Sequence, residues 1–496
     1  MNKIYVSIII YLLSTKLTYA ETLQEAIRDG IAHSPTLKYA LSQVSVSDSS
    51  INQARSGWLP NISISAGKQT TGEDSDEGVN QHYLSLQQTL FDFGRTGDKV
   101  DNAKFSKGQQ VWEAVDSAEK ISARIAEDYF NIIKGRELLK NNKQVLAEHR
   151  RILGYASARA DNGMDNQSDV HQVQVRIKGL EASAESIEAE LQATVREYEI
   201  LVGHAPGVLQ PQDLTPFYEK IEKNLEEQVR SSPQIKALQM EFAATSAQYQ
   251  YLKKSWLPQL TLSVSHGKTS AYSENGTQVM LNVTSNIFDG GNSLFQAQGV
   301  ARQIESARWN IEKSIEDNLS EISQQLKESL GFKLQALSFS GRAEQARSVM
   351  ELYNEQYRVN RRSIIDLLNS AQDYFQAEDN KVNALANQAV MLIRAMSKLG
   401  RLNELFNIST NITSDPEIDS RLTRKLYVPV KSSKYDKISF DAYDVSKNVA
   451  PLSGIDNVVS NTHSNSRGST TIVPDSISDS DENHVEDIPD PLLLLR

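Results

Sequence analysis

Hydrophobic and polar positions alternate strictly in two pairs of short runs, and the second pair repeats the first. In the first pair Ile62, Ile64 and Ala66 alternate with Asn61, Ser63 and Ser65, then Leu84, Leu86 and Leu90 with Ser85, Gln87 and Thr89. In the second, Leu260, Leu262 and Val264 alternate with Thr261, Ser263 and Ser265, then Val279, Leu281, Val283 and Ile287 with mostly polar partners. A period of two sends successive side chains to opposite faces, so each pair predicts a β-hairpin, over 59–91 and 257–288. Trp58-Leu59-Pro60 and Leu90-Phe91-Asp92 bracket the first hairpin; Trp256-Leu257-Pro258 and Ile287-Phe288-Asp289 bracket the second, 198 and 197 positions later. The chain is an internal duplication. One face of the predicted strands is aliphatic and the other small, polar and uncharged. That pattern fits a half-buried soluble sheet or a wall between lipid and water.

Past each hairpin the period lengthens to about 3.5. Val111, Ala118, Ile125, Ile132, Leu139, Leu146, Leu153 and Ala160 recur every seventh residue, which predicts one long helix over 94–162. Leu138, Val145 and Ile152 take over on another face, a drift that suits a helix with several neighbours better than a two-stranded zipper. Asp161-Asn162-Gly163 turns the chain, and a returning helix starts at Asn166 or Ser168 and ends near Gly203. The second copy repeats the plan with a long helix over 291–359, seamed by Ile315, Leu319, Ile322 and Leu326 and then Leu330, Leu334 and Leu337. Its turn is Asn360-Arg361-Arg362, and a returning helix follows from Ser363. Ahead of the hairpins, Thr22 with Glu25 forms a capping box, and Ser34-Pro35 and Ser232-Pro233 each start a helix. The two repeats span 21–203 and 221–410, joined by a proline-containing linker over 204–220. Residues 411–496 are rich in Ser and Asp without periodicity, and read as a disordered tail.

The first residues have the pattern expected of a leader. Lys3 precedes an apolar run from Ile4 to Leu13, and Thr18-Tyr19-Ala20 supplies small residues for cleavage before Glu21, so 1–20 reads as a signal peptide. Without the leader, 50 basic residues face 63 acidic ones, an excess of the wrong sign for nucleic acid. The absence of cysteine removes disulfides and thiolate chemistry. After the leader no apolar run is long enough for a spanning helix, so any membrane crossing must be made by strands. Catalytic motifs are missing, and the histidines have no ligand spacing. No cofactor or metal is expected, and Asp74, Asp76 and Glu77 read as a solvated hairpin tip rather than a calcium loop.

The Ser-Pro helix starts, the Trp-Leu-Pro hairpins ending in Leu-Phe-Asp and Ile-Phe-Asp, and the duplicated long helices together resemble the TolC-like family of outer membrane efflux and secretion channels. The resemblance covers about Glu21 to Thr410. It implies a mainly α fold with membrane β: a homotrimer whose long helices form a periplasmic α-barrel and whose strands, four per chain, share one β-barrel in outer membrane lipid of a Gram-negative cell. It also implies an exit duct serving a tripartite efflux pump or type I secretion system, with a periplasmic adaptor and an inner-membrane transporter of ABC or RND type as partners. By the same resemblance Asp366 and Asn369 form the entrance constriction, where the best-known branch has two aspartates. Tyr357 and Arg362 match the residues that tie the inner helix pair to the outer one, with Ser168 and Asp169 as their partners. Each has a plainer reading as well: Asp366 and Asp169 as first-turn carboxylates, Arg362 as a solvated turn charge and Tyr357 as packing. A soluble periplasmic coiled-coil protein of structural or adhesive role is the alternative for the whole chain.

Overall fold

In the computed structural model the described residues are 20–69, 79–164, 166–269, 272–410 and 412. The expected leader up to Tyr19, the first hairpin's tip with Asp74, Asp76 and Glu77, and nearly all of the tail lie outside them. Strand β1 (Ala20–Glu21) leads into helices α1 (Leu23–His33) and α2 (Pro35–Arg55), then strands β2 (Asn61–Gln69) and β3 (Val79–Phe91). Helix α3 (Arg95–Asp161) runs out and α4 (Gln167–Val202) returns. Strand β4 (Val208–Leu209) and short helices α5 (Thr215–Glu222) and α6 (Leu225–Arg230) cross to the second copy. That copy holds α7 (Pro233–Lys253), β5 (Gln259–Thr269), β6 (Tyr272–Thr284), α8 (Asn292–Arg358), α9 (Ile364–Lys398) and the short α10 (Leu402–Leu405).

The two long helices are equal, 67 residues each, and about 100 Å long at 1.5 Å per residue. Their common start explains why the Phe-Asp motif is repeated. Asp92 accepts from the Thr96 N–H at 2.7 Å, the Thr96 hydroxyl at 2.6 Å and the Gly94 N–H at 3.0 Å. Asp289 does the same for Ser293, at 3.0 Å from its N–H and 2.5 Å from its hydroxyl. Each carboxylate thus caps N–H groups that the helix start leaves unpaired, while Gly94 (φ 79°) and Gly291 (φ 85°) make the left-handed turn from strand to helix.

The four long strands form one antiparallel sheet in the order β2-β3-β5-β6, with β2 and β6 as open edges. The register sets Ile62, Leu86, Val264 and Val279 in one row and Leu262 beside Leu281 on the same face; Ser63, Ser85, Ser265 and Gln278 share a row on the other. The alternation read from the sequence is therefore realised across all four strands. Ile287 is not part of it. Strand β6 stops at Thr284, because its one neighbour β5 begins at Gln259, and Ile287 and Phe288 follow as exposed chain. Strand β3 reaches Phe91 because β5 still pairs with it there, past an irregularity between Thr89 and Phe91.

The main core gathers near the middle of the long helices, where Leu23 and Ile27 meet Ile125, Tyr129 and Ile132, with Tyr198, Leu392, Ile393 and Met396 around them. The segment read as a linker is structured. Strand β4 pairs in parallel with β1, the Tyr129 hydroxyl lies 2.8 Å from the carbonyls of Glu21 and Gln210, and Tyr198 donates to the Glu21 carboxylate at 2.5 Å. The expected drift of the α3 seam is present: Ala118, Ile125 and Ile132 are buried early, then Val145, Ile152 and Ala156. On α8 the continuation through Leu334 and Leu337 is not formed, since these are 39% and 63% exposed. Ser329, Ala336 and Ala343 are buried instead, and small side chains at this spacing let the neighbouring helix approach closely, with the Ser329 hydroxyl bonding the Gln388 carbonyl at 3.1 Å.

Candidate functional site

Both helical hairpins turn through left-handed residues, Gly163 (φ 69°) and Asn360 (φ 63°), and their tips share a small core. Ile152, Ala156, Val170, Val173 and Ile177 from α3 and α4 pack with Tyr357, Ile364, Leu367 and Leu368 from α8 and α9. Tyr357 is buried there, and the Arg159 guanidinium lies over its ring at 5.1 Å.

Polar bonds cross between the hairpins around this core. Arg159 donates to the Asn360 amide oxygen at 2.5 Å, Arg176 to the Asn369 amide oxygen at 3.0 Å, and Arg151, itself paired with Glu148, to the Asn354 amide oxygen at 2.8 Å. Arg362 stays on its own hairpin. It donates to Gln356 at 2.9 Å, lies 4.3 Å over the Tyr353 ring and stands 3.9 Å from the Asp366 carboxylate. Asp366 completes a capping box with Ser363: its carboxylate accepts from the Ser363 N–H at 3.3 Å and its own N–H donates to the Ser363 hydroxyl at 3.2 Å. Ser168 is exposed in the first turn of α4, and Asp169 is half-buried beside it with its N–H on the Asn166 carbonyl at 3.0 Å. The crossing arginines 151, 159 and 176 were not singled out in the sequence, where each is one charge on a helix already rich in charge. Their signal is positional, since each lies within four turns of a hairpin tip.

Above the tip His149 is fully buried, with Nδ1 on the Val145 carbonyl at 2.9 Å and no partner at Nε2. Burial pushes it below the ordinary histidine value, and the nearby Arg176 charge acts in the same direction. Higher on α3, burial pushes the Asp128 carboxyl up to about 7. Among the described residues no group of three or more His, Cys, Asp or Glu could hold a metal ion, and no helix is long and apolar enough to cross a membrane.

A duplicated chain that pairs an exposed two-faced sheet with helices about 100 Å long, whose two hairpins are bonded together at their tips, fits the class of channel proteins built from strands and long helices. The particular family follows from the comparisons. The pattern of the Outer membrane efflux protein family matches residues 26–201 and 225–401, so the chain belongs to that family. It is similar to the protein CyaE of Bordetella pertussis, with 27% identity over 306 residues that span 57% of this chain and 64% of CyaE. It is also similar to the outer membrane protein TolC of Escherichia coli, with 22% identity over 442 residues spanning 81% and 88% of the two chains. The fold matches the crystal structure of VceC from Vibrio cholerae with a TM-score of 0.67 at 17% identity, covering 76% of this chain and 96% of VceC. The protein is therefore an outer membrane protein with long periplasmic helices.

Proposed function

We propose that this protein is the exit duct of a tripartite efflux pump or a type I secretion system, assembled as a homotrimer that meets a periplasmic adaptor and an inner-membrane transporter of ABC or RND type. The observation that carries this reading is the open sheet. Strands β2 and β6 leave a row of unpaired backbone groups on either side of an aliphatic face. In lipid each such group costs several kcal/mol, so the edges must be paired, and pairing β6 of one copy with β2 of the next closes a barrel when three copies contribute four strands each. The helices below then surround a tunnel that ends at the hairpin tips. There Asp366 and Asn369 form the constriction, with Tyr357 in the core that the two hairpins share, Arg362 beside Asp366 on its own hairpin, and Ser168 and Asp169 at the start of the facing helix α4. The duct carries cargo passively, and its partners supply the energy.

Planar-bilayer conductance of the detergent-purified mature protein, with its mass measured in the same detergent, tests the reading. A trimer giving small conductance steps that enlarge in Asp366→Ala or Arg362→Ser is the expected result. A monomer without conductance would overturn it.

A further inference from the structure

We infer that Arg176 sets the charge preference of this entrance, holding a cationic group on Asn369 so that the duct favours anionic cargo and resists plugging by polyvalent cations. The inference rests on the duct reading and on residues 366 and 369 as the constriction. Arg176 projects from α4 to α9 and donates to the Asn369 amide oxygen at 3.0 Å. Guanidinium carries five donors and stays charged at any working pH, and an amide oxygen engages one donor without cancelling the charge. Among the described residues no carboxylate forms an ion pair with Arg176. The acidic side chains nearest along the two helices are otherwise placed. Glu181 is matched by Arg150 at 3.0 Å and Lys178 at 2.8 Å, Asp366 by Arg362 at 3.9 Å and Asp373 by Arg342 at 3.8 Å, and Asp169 lies half-buried two turns earlier on α4. His149 behind it is buried and held neutral by that burial. At positions 366 and 369 each copy thus sets one carboxylate, two guanidinium groups and one amide, a positive local balance that the trimer triples, with Asp169 two turns away from Arg176 on α4.

The same geometry predicts how substitutions combine. An aspartate at position 369 would meet Arg176 where the amide now does and form a charge-assisted pair, so the new charge would be largely cancelled. Removing Arg176 as well would leave that carboxylate bare.

The test is single-channel recording of the purified full-length mature protein in planar bilayers. Reversal potential is read in a KCl gradient, and block is titrated with spermidine, for the wild type, R176Q, R176K, N369D and R176Q/N369D. R176Q is expected to shift the cation-to-anion permeability ratio toward cations by about tenfold, the size of one unscreened charge within several ångströms of a narrow path. R176K is expected to keep the wild-type ratio. N369D should be blocked only weakly, and the double variant at a spermidine concentration about tenfold lower. Block of N369D as strong as that of the double variant, or an unchanged reversal potential in R176Q, would overturn the inference while leaving the duct intact. A wild-type protein without conductance would overturn both.

Discussion

Glu119 offers the sharpest physical test of the fold. It lies on α3 at 2% exposure, and its carboxylate accepts from the Leu402 N–H at 2.9 Å and the Asn403 N–H at 3.2 Å, while the Ser122 hydroxyl donates to the Asn403 amide oxygen at 2.6 Å. One carboxylate therefore holds the first turn of α10 against the long helix. Burial pushes it up to about 8 from an ordinary 4.5, against the opposing pull of the bonds from Asn403 and Leu402. The folded chain consequently keeps a proton that the unfolded chain releases. The stabilisation from this group is complete below about pH 4.5 and is lost as the pH rises toward about 8, a span of about 5 kcal/mol. Glu119→Gln keeps an oxygen acceptor and cannot ionise, so its unfolding temperature should gain on the wild type progressively from about pH 5 to about pH 8. Glu119→Ala leaves two buried N–H groups without a partner, at about 2–6 kcal/mol throughout. Thermal unfolding in detergent across that pH range, with hydrogen exchange at the Leu402 and Asn403 amides, reads both effects. Parallel pH profiles for the wild type and Glu119→Gln would refute a carboxyl held protonated by burial.

Other expectations follow from the same coordinates. Asp92→Ala should cost about 1–2 kcal/mol by unpairing the start of α3. Since hydrogen bonds from Thr96 and Gly94 hold this carboxyl below its ordinary value despite its burial, the wild-type advantage should fade in acid below about pH 4, measured by denaturant midpoint at successive pH values. His149, lowered by burial, stabilises the neutral form: its contribution is present above about pH 6.5 and lost as the pH falls, so His149→Gln should flatten the acid limb of the unfolding profile below that point. Gly400→Ala should cost more than about 2 kcal/mol in a chemical unfolding titration, because the residue sits at φ 71° and an added Cβ would lie 2.2 Å from Pro233 Cδ.

The duplication, both hairpins and the long helices to within a residue at each end were legible because they depend on local periodicity and on turn chemistry. Thr22 and Ser34 cap their helices through their side chains as read, and Ser363, read only as a helix start, does so too. Ser232 occupies the same position without doing so, its hydroxyl buried and unbonded. What escaped the sequence is long-range. The pairing of β1 with β4 joins residues 188 positions apart, and nothing in the two-residue segments signals it. The α8 seam failed for a related reason: a heptad of leucines cannot state which face a helix with several neighbours will bury, and the small residues Ser329, Ala336 and Ala343 took the close contact. The hairpin-crossing arginines depend on which hairpin lies alongside which, a tertiary fact.

The two copies also differ in what they leave unburied, and this bears on assembly. Helix α3 has neighbours over much of its length, packing with α2 and α7 along its first half and with α4 and α9 beyond. Helix α8, of identical length, exposes Trp309, Leu337, Val349 and Leu352 in the single chain. Apolar side chains spread along a helix of this length gain about 1.5–3 kcal/mol each when covered. In the trimer proposed above, the helical part adds to the strand edges in favouring contact between copies. The tips offer the opposite balance. Their shared core is small, and the remaining links between hairpins are solvated arginine bonds to amides, individually weak. Segments held this way open at low free-energy cost while the packed middle stays closed. In the duct proposed above, the entrance is thus the part of the fold that can move without unmaking the rest.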